Sequence, residues 1–396
     1  MASRGILDRV AIVGMGCTPF GELWDKDASD LIVDASQEAL ASANMTMGDV
    51  DAFWLGTMNS GTSGLTASRP LKIDNKPVTR LENMCATGSE AFRNACYAVA
   101  SGAYDVAMAV GVEKLKDGGF SGLTGSIPPN DGTFPDISAP ALFAALAPAY
   151  GNKYGVDDET LKDVFTHIAW KNHRNGVKNP RAQFRKEVAK QTIKDSPLVA
   201  GPLGIFDCSG VSDGSAAAII VRAEDAHRYQ AKPLYVKALS FVAGAGTGPM
   251  DPDYDYTSFT EVVASCRDAY QQAGITDPRE QLAMAEVHDC FTVTEMVLME
   301  DLGFADRGTA WKDVLAGAFD HNGTLPVNPD GGLKSFGHPI GASGLRMLFE
   351  IWLQLRGEAG ERQISNGKKL GLTHNLGGAP GSAVSFVSIW GSEPSA

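Results

Sequence analysis

The chain has 396 residues, of which 44% are hydrophobic and 20% charged, with a formal net charge of −13. This length exceeds one simple core and points to two domains or one large body with an insertion. The acidity argues against nucleic-acid binding, which needs a basic face. No apolar run reaches membrane-spanning length, and the first residues, Met1 to Arg9, hold no signal-peptide core, so the expected location is the cytoplasm. The cysteines, Cys17, Cys85, Cys96, Cys208, Cys266 and Cys290, form no C-x-x-C pair. Neither a structural zinc site nor disulfides are expected.

In chain order, Arg9–Gly16 reads as a buried strand running into a glycine turn. Leu31, Ile32, Ala35, Ala39 and Leu40 give a helix over Asp30–Ala43. Asp51–Gly56 and Pro77–Glu82 read as strands. After Cys85, the spacing of Ala91, Phe92, Ala95, Cys96, Val99 and Ala100 is helical. Tyr104–Val112 is a continuous apolar strand, of the kind buried on both faces of a parallel sheet. Residues 114–204 break the rhythm with the loop-forming runs Gly118–Gly122, Pro128–Gly132 and Phe134–Asp136. They also hold an Ala-rich helix over Ala139–Tyr150 and a basic helix-and-loop tract over Trp170–Lys186. This segment reads as an inserted lid. Asp213–Arg222 returns to the sheet. The order then restarts: strand Leu234–Leu239, helix Phe259–Ala273, strand Met284–Phe291, helices Thr294–Leu302 and Leu345–Leu355, and strands Leu370–Gly378 and Ser382–Trp390. Two α/β units, 1–231 and 232–396, follow, with their glycine-rich turns meeting at one site.

Chemistry concentrates at those turns. Cys85 sits where a strand meets a helix, and unpaired amide groups and the helix dipole there favour thiolate. A buried structural cysteine is the plainer alternative. His288 and Cys290 alternate off a strand end and point to one side. H-x-C alone offers too few ligands for a metal. His338 lies between Gly337 and Pro339, just before a helix, among small residues that let a substrate approach. The stretch His374–Gly381 is a glycine turn whose N–H groups could form an oxyanion hole, or an ordinary hairpin.

Together, Asn83-Met-Cys-Ala-Thr-Gly-Ser, His288-Asp-Cys-Phe, Gly331-Gly-Leu-Lys-Ser-Phe-Gly-His-Pro-Ile-Gly-Ala-Ser-Gly and His374-Asn-Leu-Gly-Gly resemble the thiolase superfamily, and among it the sterol-carrier-protein type. The tract from Lys171-Asn-His through Asn179-Pro to Gln183-Phe is also similar. The resemblance implies a five-layered αβαβα fold of two βαβαβαββ halves with a lid in the first. It implies Claisen-type chemistry on coenzyme A thioesters, with Cys85 as acylated nucleophile and His338 taking its proton. Cys290 would be the second acid/base. Ordinary thiolases carry that cysteine in a C-x-G turn where Asn375 stands here, and an Asn where His288 stands. His288 and His338 would polarise one thioester oxygen, and the N–H groups of Cys85 and Gly377 would hold the other. No metal and no cofactor beyond the coenzyme A substrate is implied, and relatives are mostly dimers or tetramers.

Coenzyme A carries phosphates, and the basic tract Lys171, His173, Arg174, Lys178, Arg181, Arg185, Lys186 is a local exception to the acidity. Arg174, Arg181 and Arg185 are the expected phosphate contacts, a solvated helix face being the alternative. Two other activities fit the scaffold: an acyltransferase or steroid-type retro-aldol lyase working with a zinc-binding OB-fold partner, and a non-catalytic lipid carrier. The intact set of Cys85, His288, Cys290 and His338 favours the thiolase.

Overall fold

Nine strands carry the fold: β1 Val10–Cys17, β2 Ala52–Gly56, β3 Val78–Leu81, β4 Val106–Glu113, β5 Gly214–Arg222, β6 Leu234–Ala243, β7 Leu282–Glu286, β8 Leu370–Ala379 and β9 Ser382–Gly391. The structure is a computed structural model describing residues 5–119, 124–125 and 137–395. The strands lie side by side in the order β7-β8-β9-β6-β1-β5-β4-β2-β3. In the first half, β1, β5 and β4 run antiparallel in turn, and β4, β2 and β3 run parallel. In the second, β6, β9 and β8 run antiparallel, and β8 and β7 parallel. A lone parallel bridge, Ala285 to Val327, stands where the first half has β3. The two half-sheets join edge to edge where β1 meets β6 at Ala11–Tyr235 and Ile12–Leu234.

Six helices complete the layers: α1 Ala28–Ser42, α2 Thr87–Ala100, α3 Asp158–Val177, α4 Thr260–Ala273, α5 Thr292–Asp301 and α6 Ile340–Arg356. A capping box between Asp27 and Asp30 starts α1. Alternation along the strands sorts the side chains into separate cores. Met108, Val110, Val112, Ile219 and Val221 face α1 in an outer core. Ala107, Ala109, Ala216, Ala218 and Ile220 face α2 and α6 in a middle core, with Phe386 and Trp390 from the other half-sheet. Helix α4 covers the far face of β6 and β9, in a third core. The order is helix, sheet, helices, sheet, helix, the five-layered αβαβα fold. Small residues let the middle layer close up: a β-carbon at Gly111 would fall 2.2 Å from the Gly341 carbonyl oxygen of α6.

The structure differs from sequence expectation at three places. The Ala-rich segment is two helices, Ala139–Ala144 and Leu146–Tyr154, because Pro148 has no N–H for the Ala144 carbonyl. The strand expected through Phe291 stops at Glu286, where the Asn328 side chain takes the Val287 N–H at 2.8 Å. The glycine turn expected over His374–Gly381 is narrower: β8 continues to Ala379, and the turn is the two-residue hairpin Pro380–Gly381 that joins β8 to β9. Of the runs expected as loops, residues 120–122, 128–132 and 134–136 lie outside the described residues. Among the described residues no helix is long and apolar enough to cross a membrane.

Candidate active site

Strand β3 ends at Leu81 and α2 begins at Thr87, and the five residues between make a tight elbow. Met84 takes a left-handed backbone, φ 51°, a conformation that costs energy in a residue with a side chain. Thr87 holds it there, its hydroxyl accepting the Asn83 N–H at 2.9 Å and donating to the Met84 carbonyl at 2.6 Å. The Glu82 carboxylate accepts the Met84 N–H. Cys85 is thereby presented half-buried at the start of α2.

His338 arrives from the other half, two residues before α6. Its Nε2 lies 3.3 Å from the Cys85 Sγ. Its Nδ1 lies 2.7 Å from the Ser343 hydroxyl, which donates to the Pro339 carbonyl at 3.0 Å. Ser343 therefore accepts from Nδ1–H, leaving Nε2 as an acceptor facing the thiol. Burial, with Glu82 and Glu113 adding to it, pushes the Cys85 thiol up to about 12. Burial and then the Arg346 charge push His338 down to about 3. The pair is neutral thiol and neutral imidazole. Desolvation and the two carboxylates oppose the thiolate that the helix N-terminus favours.

His288 leaves the end of β7 in a loop. Asn375 on β8 donates from Nδ2 to His288 Nδ1 at 3.5 Å and accepts the Ser89 hydroxyl at 2.5 Å. The imidazoles of His288 and His338 stand edge to face, 5.4 Å apart. Cys85 Sγ and one nitrogen of each histidine all lie within 4.8 Å of one another, which among the described residues is also the one His/Cys/Asp/Glu group with metal-ligand spacing. Cys290 is buried, 3.7 Å from the Thr294 hydroxyl. Burial raises its thiol well above the usual range, and the nearby Cys85 raises it further. At Gly377 on β8 a β-carbon would fall 2.6 Å from the Asn83 carbonyl oxygen, so only glycine lets this strand press against the Cys85 elbow. The structure thus brings Cys85, His288, Cys290, His338 and Gly377 together.

The basic tract divides instead. Lys171 is buried and pairs with Glu295 at 2.8 Å, also donating to the Val327 carbonyl. His173 is buried against Phe184 and Phe206. Arg181 binds both oxygens of Glu38 and the Cys17 carbonyl, over the Phe349 ring, so its guanidinium is already satisfied inside the fold. Arg174 rests on Trp170 and, with Lys178, Asp320 and His321, lines a surface cleft. Arg185 is exposed.

Sequence reasoning missed the polar scaffold under the site. Asp289 accepts the Leu333 and Lys334 N–H groups at 2.6 and 3.2 Å, capping the short helix Gly332–Ser335 that leads to His338. Asn172 bridges Asp289 to Glu295 at 2.8 Å each, and Glu295 also accepts from Asn328 at 3.0 Å. Arg346 joins Asp330 and Glu286. A signal existed: Phe165, Ile168, Asn172 and Asn175 fall on one helical stripe, apolar turning to polar in the same buried face.

This fold, with a thiol–imidazole pair where its halves meet, defines a class of enzymes that carry acyl groups on a five-layered α/β scaffold. Residues 10–224 match the family model "Thiolase, N-terminal domain" and residues 248–389 match "Thiolase C-terminal domain-like". An acetyl-CoA acetyltransferase of Methanothermobacter thermautotrophicus is 37% identical, over 96% of this chain and 98% of that protein. Sterol carrier protein 2 of Bos taurus is 32% identical over 93% of this chain and 70% of that one. In fold, the chain superposes on the solved structure titled Ltp2-ChsH2(DUF35) aldolase with a TM-score of 0.81 at 22% identity, over 97% of this chain and 98% of that one. An acetyl-CoA acetyltransferase from Syntrophomonas wolfei gives 0.71 at 17%, over 98% and 100%. The chain belongs to the thiolase family and is an acyltransferase.

Proposed function

We propose that this acyltransferase makes or breaks a carbon–carbon bond between acyl-CoA thioesters, as an acetyl-CoA acetyltransferase or 3-ketoacyl-CoA thiolase working through a Cys85 acyl-enzyme. The observation that carries the reading is the 3.3 Å contact between Cys85 Sγ and His338 Nε2, with a second protonated thiol, Cys290, beside it. In the cleavage direction, Cys85 sulfur attacks the 3-keto carbon as its proton passes to His338. The bond to the α-carbon breaks, and the departing enolate takes the Cys290 proton and leaves as acetyl-CoA. The Cys290 thiolate then deprotonates free coenzyme A, whose sulfur attacks the acyl-enzyme carbonyl. Cys85 departs and recovers its proton from His338. The Cys85 and Gly377 N–H groups serve one oxyanion and His288 with His338 the other. Two neutral thiols at rest suit this sequence, which needs one proton held at each sulfur.

Arg174 and Arg185 offer free charge for the coenzyme A phosphates, and Arg181 supports its segment instead. The reaction needs no bound cofactor, coenzyme A thioesters being its substrates. We place the enzyme in the cytoplasm, as a homodimer or homotetramer. Brief exposure to acetyl-CoA followed by intact-mass measurement tests the reading. An acetyl adduct on the native protein and on Cys290→Ala, but absent from Cys85→Ala, is expected, with carbon–carbon chemistry lost in Cys290→Ala. An adduct that survives Cys85→Ala overturns it. Turnover only in the presence of an OB-fold partner, with no acyl adduct, marks the retro-aldol lyase instead.

A further inference from the structure

The same site has a property that acyl transfer does not use. A tetrahedral zinc bound by one thiolate and two imidazoles separates its donor atoms by about 3.3–3.6 Å, from bonds of about 2.3 Å to sulfur and about 2.0 Å to nitrogen. The Cys85–His338 pair is at 3.3 Å, and the set with His288 lies within 4.8 Å. We propose that Cys85 Sγ, His338 Nε2 and His288 Nε2 form a binding site for a borderline-soft divalent ion such as Zn²⁺, which closes the acyl-transfer centre reversibly. Binding rests on this geometry alone, and only its inhibitory consequence rests on the acyl-enzyme reading.

The groups behind the ligands fit the role. A metal-bound imidazole gives its other N–H to a fixed acceptor, which sets its tautomer. His338 does so already, from Nδ1 to Ser343, with Nε2 bare toward the thiol. For His288, Asn375 stands at Nδ1 and leaves Nε2 for the metal. Coordination needs the proton on Nδ1, and a half-turn of the Asn375 amide supplies the acceptor. Ser89, a hydroxyl that donates or accepts, follows the turn without losing its bond. Half-exposed Cys85 gives the ion a route in, and water takes the fourth position. The step is ligand exchange: the sulfur–hydrogen bond breaks, its proton goes to solvent, a sulfur–metal bond forms, and nothing is oxidised.

Co²⁺, which takes the same geometry and reports it by colour, is the probe. Titration of the full chain is expected to give one ion per chain, with tetrahedral d–d bands and a thiolate-to-metal charge-transfer band. Cys85→Ala should abolish the charge-transfer band, and His288→Asn and His338→Asn should each weaken binding at least about tenfold. Cys290→Ala should retain both, and prior acetylation of Cys85 should block binding. Circular dichroism of each variant checks folding. A charge-transfer band that survives Cys85→Ala, or His288→Asn binding as tightly as the native chain, overturns the site. Zn²⁺ bound as described without loss of acetyl-adduct formation overturns the inhibition and leaves the site standing. Adduct formation absent without metal counts against the acyl-enzyme reading alone.

Discussion

At the level of single residues, burial works against charge on either member of the reactive pair. Burial pushes the Cys85 thiol up to about 12 and the His338 imidazole down to about 3, which moves both titrations out of the working range. The acylation rate is therefore expected to be flat between about pH 5 and pH 9 in single-turnover mass measurements, without the rise that a titrating thiol gives. His338→Ala should slow that step about 10²–10⁴-fold. His374 shows the same desolvation with no chemistry attached. It is fully buried in β8, and among the described residues neither ring nitrogen has a partner. Burial holds it down to about 3, below its unfolded value near 6.5. The unfolded chain takes up a proton below that value and the folded one does not, so this residue removes stability as pH falls from about 6.5 toward 3. Urea unfolding of His374→Leu against the native chain should show the variant gaining about 2 kcal/mol relative to native between pH 7.5 and pH 5. An unchanged difference would mean that His374 is protonated in the fold.

Between elements, α3 does the structural work that the sequence hid. Lys171, Asn172 and Asn175, with Asn179 just past the end of the helix, reach across to Glu295, Asp289 and the carbonyls of Asn328 and Asp330, tying this segment to both loops that carry the site histidines. Lys171→Met leaves Glu295 buried without its charge partner and should cost about 3–5 kcal/mol in chemical unfolding. Adding Glu295→Gln should recover much of that loss, and two independent, additive losses would refute the coupling. The Cys85 elbow was legible because its signal is local: a strand, a run of small residues and a helical period within twenty positions. The two-half repeat was legible for the same reason, unit by unit. The role of the 170s was not, because a buried lysine and an exposed one read alike until the helix is given a neighbour. Likewise the strand after Glu286 reads on into Val287, and only Asn328, forty-one residues away, ends it.

Across the whole molecule, the two half-sheets share only a short seam at β1 and β6, yet α2 and α6 pack together between them, with α6 also lying on β8 of the second half. This is why residues 253 positions apart, Cys85 and His338, meet at hydrogen-bonding distance. The charge pattern is likewise a property of the whole. A chain with net charge −13 repels a polyanionic substrate at long range, so a few unpaired cations weigh heavily in its capture. Arg174 and Arg185 are exposed, whereas Arg181 is spent on Glu38. Reversing Arg174 and Arg185 to Glu should raise the KM for coenzyme A several-fold at low ionic strength with little change in kcat. That effect should shrink as salt shortens the screening length to about 8 Å near 0.15 M. Arg181→Gln should instead lower the melting temperature and leave KM in place, because it frees Glu38 and the Cys17 carbonyl without touching the cleft. Steady-state kinetics at two salt concentrations, beside thermal unfolding, separate the two behaviours. Should Arg181→Gln move KM as far as the double reversal does, the phosphate end lies over β1 and α1 rather than over the Trp170 cleft.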